Sequence, residues 1–506
     1  MKKVSYSMIT AIIQRMVTII TGFIVQRQIL LAFGSSLNGL TSSIGQTMSY
    51  LVLLEAGIGS ASIQALFEPL AENRLDYCNG ILSATNRQYQ KIGFMFSVLL
   101  VCISFVMPFV IKDDVSAITV IIMTLSIGGS SAITYLFVSK YTILYTAIQK
   151  IYYVQIIDIC LATLSCGIKV AFIRKGENLV VVQAVNILIV ASKWIALATL
   201  TKKVFPQVSF KEVPNNAAIS KRWSVLVHQI AGLVVNRTDV MILTIFSTLK
   251  LVSLYSVYDY IYNNLIQLFS SVFSQAPMGY LGNLYHQDRK KFEKIYAIYE
   301  SVYTAFLTCM ISVVVVLTIP FVRLYTAGID DALYIRPGVA ILFALIAYMN
   351  LLRTPQILVI NICGWFKQTQ NAAILEAVIN LVISLCLLPF LGIYGLLIGT
   401  IVSYSYRSVN ILVFTYRNMR WSLGRFFAIF VCNVATALMF VYIAFPKLSG
   451  ISTWTNWIAA GFFTTLIFGA GFAIVTIVPV LAKRMCKTHS KADCREMFDS
   501  SSSVDK

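Results

Sequence analysis

The chain has 506 residues, 58% of them hydrophobic and only 12% charged, with a mean hydropathy of +0.78 and a formal net charge of +19. Soluble domains carry about 25% charged residues, so this composition excludes an ordinary globular enzyme and points to a chain that crosses a membrane many times. A basic excess of this size can signal nucleic acid, but its placement along the chain gives a better account, and no nucleic-acid partner is expected.

A membrane span needs about 20 apolar residues. Runs of that length fall at residues 9–32, 40–66, 93–111, 117–139, 151–173, 179–200, 224–246, 252–277, 299–322, 335–360, 370–389, 393–416, 426–445 and 456–482. The fold class expected is an all-α polytopic membrane protein of about fourteen transmembrane helices. Met1-Lys2-Lys3 is basic, but Arg15 interrupts the apolar run that follows and no small-residue cleavage site is present, so the first run reads as a retained span. With both termini assigned to the cytoplasm, the inside segments hold 26 Lys and Arg and the outside loops 7. That asymmetry is the positive-inside pattern. The outside loops, such as Gly34–Asn38 and Lys112–Ser116, are too short for an external catalytic domain. The ten cysteines are scattered through the chain in no metal-spaced cluster, the three histidines lie far apart, and no Walker motif occurs. No cofactor and no enzymatic activity are expected.

The segment Ala71-Glu-Asn-Arg-Leu-Asp-Tyr77 after the second span resembles His286-Gln-Asp-Arg-Lys-Lys-Phe292 after the eighth, at an offset of 215. Asp158 in the fifth span matches Glu376 in the eleventh at an offset of 218. Each half holds six spans, an even number, so the halves share one orientation. This predicts two six-helix lobes related by a parallel pseudo-twofold repeat, plus two extra C-terminal helices, with the working site between the lobes. The expected organisation is an N-terminal lobe over 1–200, a cytoplasmic linker over 201–223, a C-terminal lobe over 224–420, two further spans over 421–482 and a cytoplasmic tail over 483–506.

Charges inside spans are costly, about 2.5–3.5 kcal/mol each at a helix centre. Arg15, Arg237, Arg353 and Arg407 read as lining a cavity, as partners in structural ion pairs, or as snorkelling near span ends. Arg27 and Lys193 lie near enough to ends to snorkel. Glu55, Asp158, Asp239 and Glu376 are candidates to carry a coupling proton or sodium ion, the alternative being a pair with an intramembrane cation. Polar residues at helical spacing, such as Glu376, Asn380 and Ser384, or Thr400, Ser403 and Arg407, put each set on one helix face. Tyr255, Tyr258, Tyr260 and Tyr262 read as an interfacial belt or as a sugar-stacking surface.

Several motifs carry a family resemblance. Glu55-Ala-Gly-Ile-Gly-Ser-Ala-Ser62, Leu66-Phe-Glu-Pro-Leu-Ala-Glu-Asn73, Ile81-Leu-Ser83 and Lys91-Ile-Gly93 resemble the second-span and first-loop signature of Wzx-type polysaccharide flippases. So do Asn236-Arg-Thr-Asp239, Asn361-Ile-Cys-Gly-Trp-Phe-Lys-Gln-Thr369, Ile374-Leu-Glu-Ala-Val-Ile-Asn-Leu381 and Gly392-Ile-Tyr-Gly-Leu-Leu-Ile-Gly-Thr400. That family belongs to the superfamily of multidrug/toxin extruders and lipid II flippases. The resemblance implies a bacterial inner-membrane flippase that moves an undecaprenyl-pyrophosphate-linked oligosaccharide by alternating access, with ion coupling, alongside a polysaccharide polymerase and chain-length machinery. It implies that cavity arginines meet the pyrophosphate, and Arg15 and Arg237 occupy the corresponding helices; Arg353 and Arg407 are the second candidates for that contact. The chain departs from the family's asparagine-rich motif by placing Arg237 beside Asp239, which leaves a substrate contact and an internal pair both open.

Overall fold

The computed structural model describes residues 2–55, 57–111, 113, 115–215 and 238–477. Among these every regular element is helical, as a bilayer requires of any spanning segment that is not a closed barrel. The helices are α1 (Lys2–Leu51), α2 (Ile58–Ala71), α3 (Leu75–Val110), α4 (Ala117–Ile133), α5 (Ser139–Ala147), α6 (Tyr152–Arg174) and α7 (Leu179–Val204). After them come α8 (Leu249–Ser270), α9 (Ala276–Gln287), α10 (Arg289–Tyr325), α11 (Pro337–Leu352), α12 (Thr354–Cys363), α13 (Phe366–Leu391), α14 (Ile393–Met419), α15 (Leu423–Leu448) and α16 (Trp454–Phe472).

Among the described residues, eleven helices or joined helix pairs are long and apolar enough to cross a membrane. The fourteen expected runs reconcile with that number. The 50-residue α1 carries the first run and the start of the second. The seventh run falls mostly on residues 216–237, outside the described residues. α8 is 22 residues long, but Asp259, Asn263, Asn264 and Gln267 lower its hydropathy.

Three stretches outside the expected spans are helical instead. Gly34–Asn38 is a kink within α1, where Gly34 takes φ 79° and the Asp331 carboxylate accepts from Ser35 N at 2.7 Å and Ser35 Oγ at 2.6 Å. The carboxylate caps the second half of α1 as an N-cap side chain would. The polar stretches near residues 75–91 and 289–294 form the first turns of α3 and α10, so the connections shrink to residues 72–74 and to Asp288. Asp288 caps α10 by accepting from Lys291 N at 2.9 Å. Charged residues are good helix formers outside the hydrocarbon layer, so charge marked the membrane edge and not the helix end.

The same order of elements occurs twice. A helix breaks at the 3₁₀ turn Val52–Glu55 before α2, and another at the π turn Ser271–Gln275 before α9. The next helices, α3 and α10, have 36 and 37 residues. Each is followed by a broken span, α4 and α5 across the π turn Thr134–Val138, then α11 and α12 across Arg353. The chain divides into two compact units, Met1–Val257 with Gly328–Leu333 and Ser384–Pro389, and Tyr258–Ala327 with Tyr334–Ile383 and the chain from Phe390 onward.

In the first unit the core runs through Leu40, Ile44, Leu66, Ile81, Phe96 and Met123. Close approach of backbone is needed at Gly39, where a Cβ would lie 1.9 Å from the carbonyl oxygen of Leu249. The first part of the expected linker is held rather than loose. Ser83 Oγ donates to Glu212 O at 2.6 Å, and Asn79 both donates to Gln207 O and accepts from Ser209 N. In the second unit α10 is the most enclosed of the eleven spans, 72% of its most apolar window being buried, against 6% for α6. The last two helices seat on Cys309, Val313 and Val316 of α10 through Phe440 of α15 and Phe468 and Phe472 of α16. Large apolar side chains such as Phe109, Phe390, Tyr442 and Phe462 point outward, the surface a bilayer covers.

Candidate functional site

The candidate site is a set of charged clusters held by helix breaks and polar faces. The largest is in the second unit. Pro355 lacks an N–H and its ring opposes the carbonyl four residues back, so the span breaks between α11 and α12 and leaves Leu351 O to accept from Tyr303 Oη at 2.7 Å. Arg353 stands at that break. Its Nη1 lies 2.5 Å from Glu376 Oε1 on α13, and its guanidinium sits 4.7 Å from the ring centroid of Tyr404 on α14. Arg407, on the same helix as Tyr404, places Nε 3.6 Å from Glu376 Oε2 and donates from Nη1 to Thr369 O at 3.0 Å. The side chains of Arg353, Arg407 and Glu376 are 8–12% exposed. Two guanidinium groups thus share one carboxylate and leave one excess positive charge. A turn further along the same faces, Asn380 donates to Thr400 Oγ1 at 3.0 Å, so the two predicted stripes on α13 and α14 meet.

The first unit carries the same arrangement in a simpler form. Asp158 Oδ1 on α6 lies 2.6 Å from Lys193 Nζ on α7, and Gln14 of α1 donates to Asp158 Oδ2 at 2.9 Å. Asp158 and Glu376 are 218 positions apart, and Lys193 and Arg407 are 214 apart. An acid on the fifth span and a cation on the sixth therefore pair in both halves. Lys193 was expected to snorkel, and is instead held at an ion pair because α7 packs on α6 and brings Asp158 within reach. This pair is more open than its counterpart, with side chains 21–24% exposed.

The other candidates are dispersed. Glu55 ends the 3₁₀ turn before α2 and accepts from Tyr89 Oη of α3 at 2.5 Å. Asp239, 5% exposed, accepts from Tyr255 Oη at 3.0 Å. Arg15 is half-buried on α1, next to Gln14. Arg237 lies outside the described residues, so its relation to Asp239 is not described. Tyr255, Tyr258 and Tyr262 are buried and form neither a belt nor a sugar platform. Tyr258 donates to Tyr334 O at 2.8 Å, Tyr262 donates to Ala340 O at 3.1 Å, and both stack on Phe343. A tyrosine has the same composition signature at an interface and in a hydrogen-bonded core, which is why the sequence could not separate them.

One carboxylate was missed. Glu300 on α10 is 8% exposed and accepts from Gln356 Nε2 at 2.8 Å, Tyr416 Oη at 2.6 Å and Tyr296 Oη at 3.4 Å. It ties α10 to α12 and α14. The signal was the i,i+4 ladder Tyr296, Glu300, Thr304, Thr308 and Ser312, all buried on one face.

No protein-family model and no curated protein matches the chain in sequence. Solved structures do match its fold. A lipid II flippase, MurJ, in an inward closed conformation aligns with a TM-score of 0.67 at 13% identity, over 92% of this chain and 98% of that one. A multidrug resistance MATE family transporter of the MOP superfamily, inward-facing, aligns with a TM-score of 0.62 at 12% identity, over 79% and 94%. A MOP superfamily transporter from Pyrococcus furiosus, whose binding pocket is described as of reverse polarity, aligns with a TM-score of 0.51 at 10% identity, over 81% and 94%. The chain is an all-α, multi-pass membrane protein whose fold is similar to those of the MurJ and MATE structures.

Proposed function

We propose that this protein is a flippase for an anionic lipid-linked oligosaccharide, carrying an undecaprenyl-pyrophosphate-linked glycan from the inner to the outer leaflet of a bacterial plasma membrane. The observation that carries the reading is the Arg353–Glu376–Arg407 cluster, which leaves a surplus cation buried among membrane helices. A binding site for cationic drugs would be served by surplus carboxylate; a surplus guanidinium suits phosphate, which it can grip with paired charge-assisted hydrogen bonds. The transporter fold supports translocation over catalysis.

In this reading the lobes are residues 1–200 and 224–420, and transport proceeds by alternating access while the polyprenyl tail stays in lipid. Arg15, Arg237, Arg353 and Arg407 contribute to pyrophosphate binding. Glu55, Asp158, Asp239 and Glu376 are the candidates for ion coupling. Glu376 holds Arg353 and Arg407 in the absence of cargo, and the cargo leaves in exchange for an ion that enters down its gradient. Both termini face the cytoplasm, and the polymerase and chain-length machinery act on the delivered product.

The likeness to a lipid II flippase over nearly the full length of both chains favours a second reading, in which the cargo is lipid II. The two cargoes share the pyrophosphate and differ in the sugar. Surface-glycan export in cells that depend on this gene separates them. Arg353→Gln with Arg407→Gln should abolish export in a stably inserted protein. Wild-type export by the double variant refutes the site, and loss of peptidoglycan synthesis without loss of glycan export selects lipid II.

A further inference from the structure

Two surface grooves share four matching positions in the two halves. In the first unit a cavity of about 380 Å³ is lined by Tyr153 and Ile156 of α6 and by Ala196, Thr199, Leu200 and Lys203 of α7. In the second unit a cavity of about 1090 Å³ runs along α14 past Val402, Tyr406, Asn410, Val413, Phe414 and Arg417. Ala196, Thr199, Leu200 and Lys203 each stand 214 residues before Asn410, Val413, Phe414 and Arg417. The α7 and α14 walls of the grooves therefore follow the repeat, and each ends on a cation. Both cations are exposed, and among the described residues neither is held by a carboxylate.

The length of the α14 groove matches one leaflet. From Val402 to Arg417 is about 22 Å of helix at 1.5 Å per residue. Half of a bilayer of about 40–45 Å, headgroups included, is about 20–22 Å. Arg417 and Lys203 lie at the ends of α14 and α7 that run into basic connections, the side that the positive-inside rule assigns to the cytoplasm. The walls along the chain direction are apolar or weakly polar, and the charge is confined to the interface.

We propose that each groove holds one anionic phospholipid of the cytoplasmic leaflet, its acyl chain along α7 or α14 and its phosphate on Lys203 or Arg417. This rests on the multi-pass reading with basic ends in the cytoplasm, and not on the identity of the transported cargo. The smaller groove on α7 covers only the interfacial part of a chain, so it holds its lipid less tightly than the groove on α14.

Native mass spectrometry of the full-length protein, titrated with phosphatidylglycerol and with phosphatidylcholine, tests it. The wild type should retain two phosphatidylglycerol molecules with an affinity about tenfold above that for phosphatidylcholine. Lys203→Gln and Arg417→Gln should each remove one, and the double variant both. Equal retention of the two lipids, or undiminished phosphatidylglycerol in a folded double variant, overturns the proposal. Should the variants misfold, the wild type decides: its preference must collapse between about 0.05 M and about 1 M salt, where screening shortens to about 3 Å, and a salt-independent preference overturns it. One-for-one displacement by polyprenyl pyrophosphate assigns the grooves to the carrier lipid and also overturns it. Absence of glycan flipping by the wild type, with both phospholipids still bound, refutes the flippase reading and leaves this one standing.

Discussion

Replacing Glu376 by glutamine removes the one carboxylate between Arg353 and Arg407 while keeping its size. Both guanidinium groups then stay charged, at 10–12% side-chain exposure, with no carboxylate near them among the described residues. Breaking a buried pair by removing one partner costs about 3–5 kcal/mol. At about 2–4 °C per kcal/mol for a unit of this size, the melting temperature of the purified protein should fall by about 6–20 °C. The two arginines are not equivalent. Contacts at 2.5 and 3.6 Å make the gross attraction to Arg353 about 1.4 times that to Arg407 at equal dielectric. Adding Arg353→Gln to Glu376→Gln should therefore recover more stability than adding Arg407→Gln. The exposed cations should also make Glu376→Gln gain more thermal protection from a pyrophosphate-bearing lipid than the wild type does. Scanning calorimetry or fluorimetry with and without the lipid reads all of these. A Glu376→Gln protein as stable as the wild type, or one that the lipid does not protect, refutes the reasoning.

Asp158→Asn strands Lys193 in the membrane and should lower folded yield and export, and Lys193→Met added to it should restore the yield, read by fluorescence-detected size exclusion. Gly39→Ala should be among the most damaging single methyl additions in the chain, since its Cβ meets the Leu249 carbonyl; a Gly39→Ala melting temperature within a degree or so of wild type contradicts the close packing. Glu300→Ala orphans up to three buried donors at about 1–3 kcal/mol each and should destabilise more than Glu300→Gln, which still accepts at one oxygen. Equal melting temperatures for the two variants would show that the network is not holding α10 to α12 and α14.

The spans were readable because about 20 apolar residues in a row have few other uses. Their ends were not, since the residues that open α3 and α10 are charged yet helical, and the sequence marks where lipid stops rather than where hydrogen bonding stops. The site was readable as faces: Glu376, Asn380 and Arg407 stood out by spacing and charge. Which groups pair was not, because Arg353 reaches Glu376 only through the break that Pro355 imposes, and Lys193 reaches Asp158 only through packing of α7 on α6. Glu300 escaped notice because it sits at the edge of its apolar run, where a carboxylate is unremarkable until three neutral donors close on it.

The most direct test places the purified full-length protein in liposomes with undecaprenyl-pyrophosphate-linked oligosaccharide and follows access of a membrane-impermeant glycosidase to the sugar. Wild-type protein should move the lipid between leaflets, and the Arg353→Gln, Arg407→Gln double variant should do so at least about tenfold more slowly. No movement by the wild type, together with transport of a cationic drug, contradicts the account.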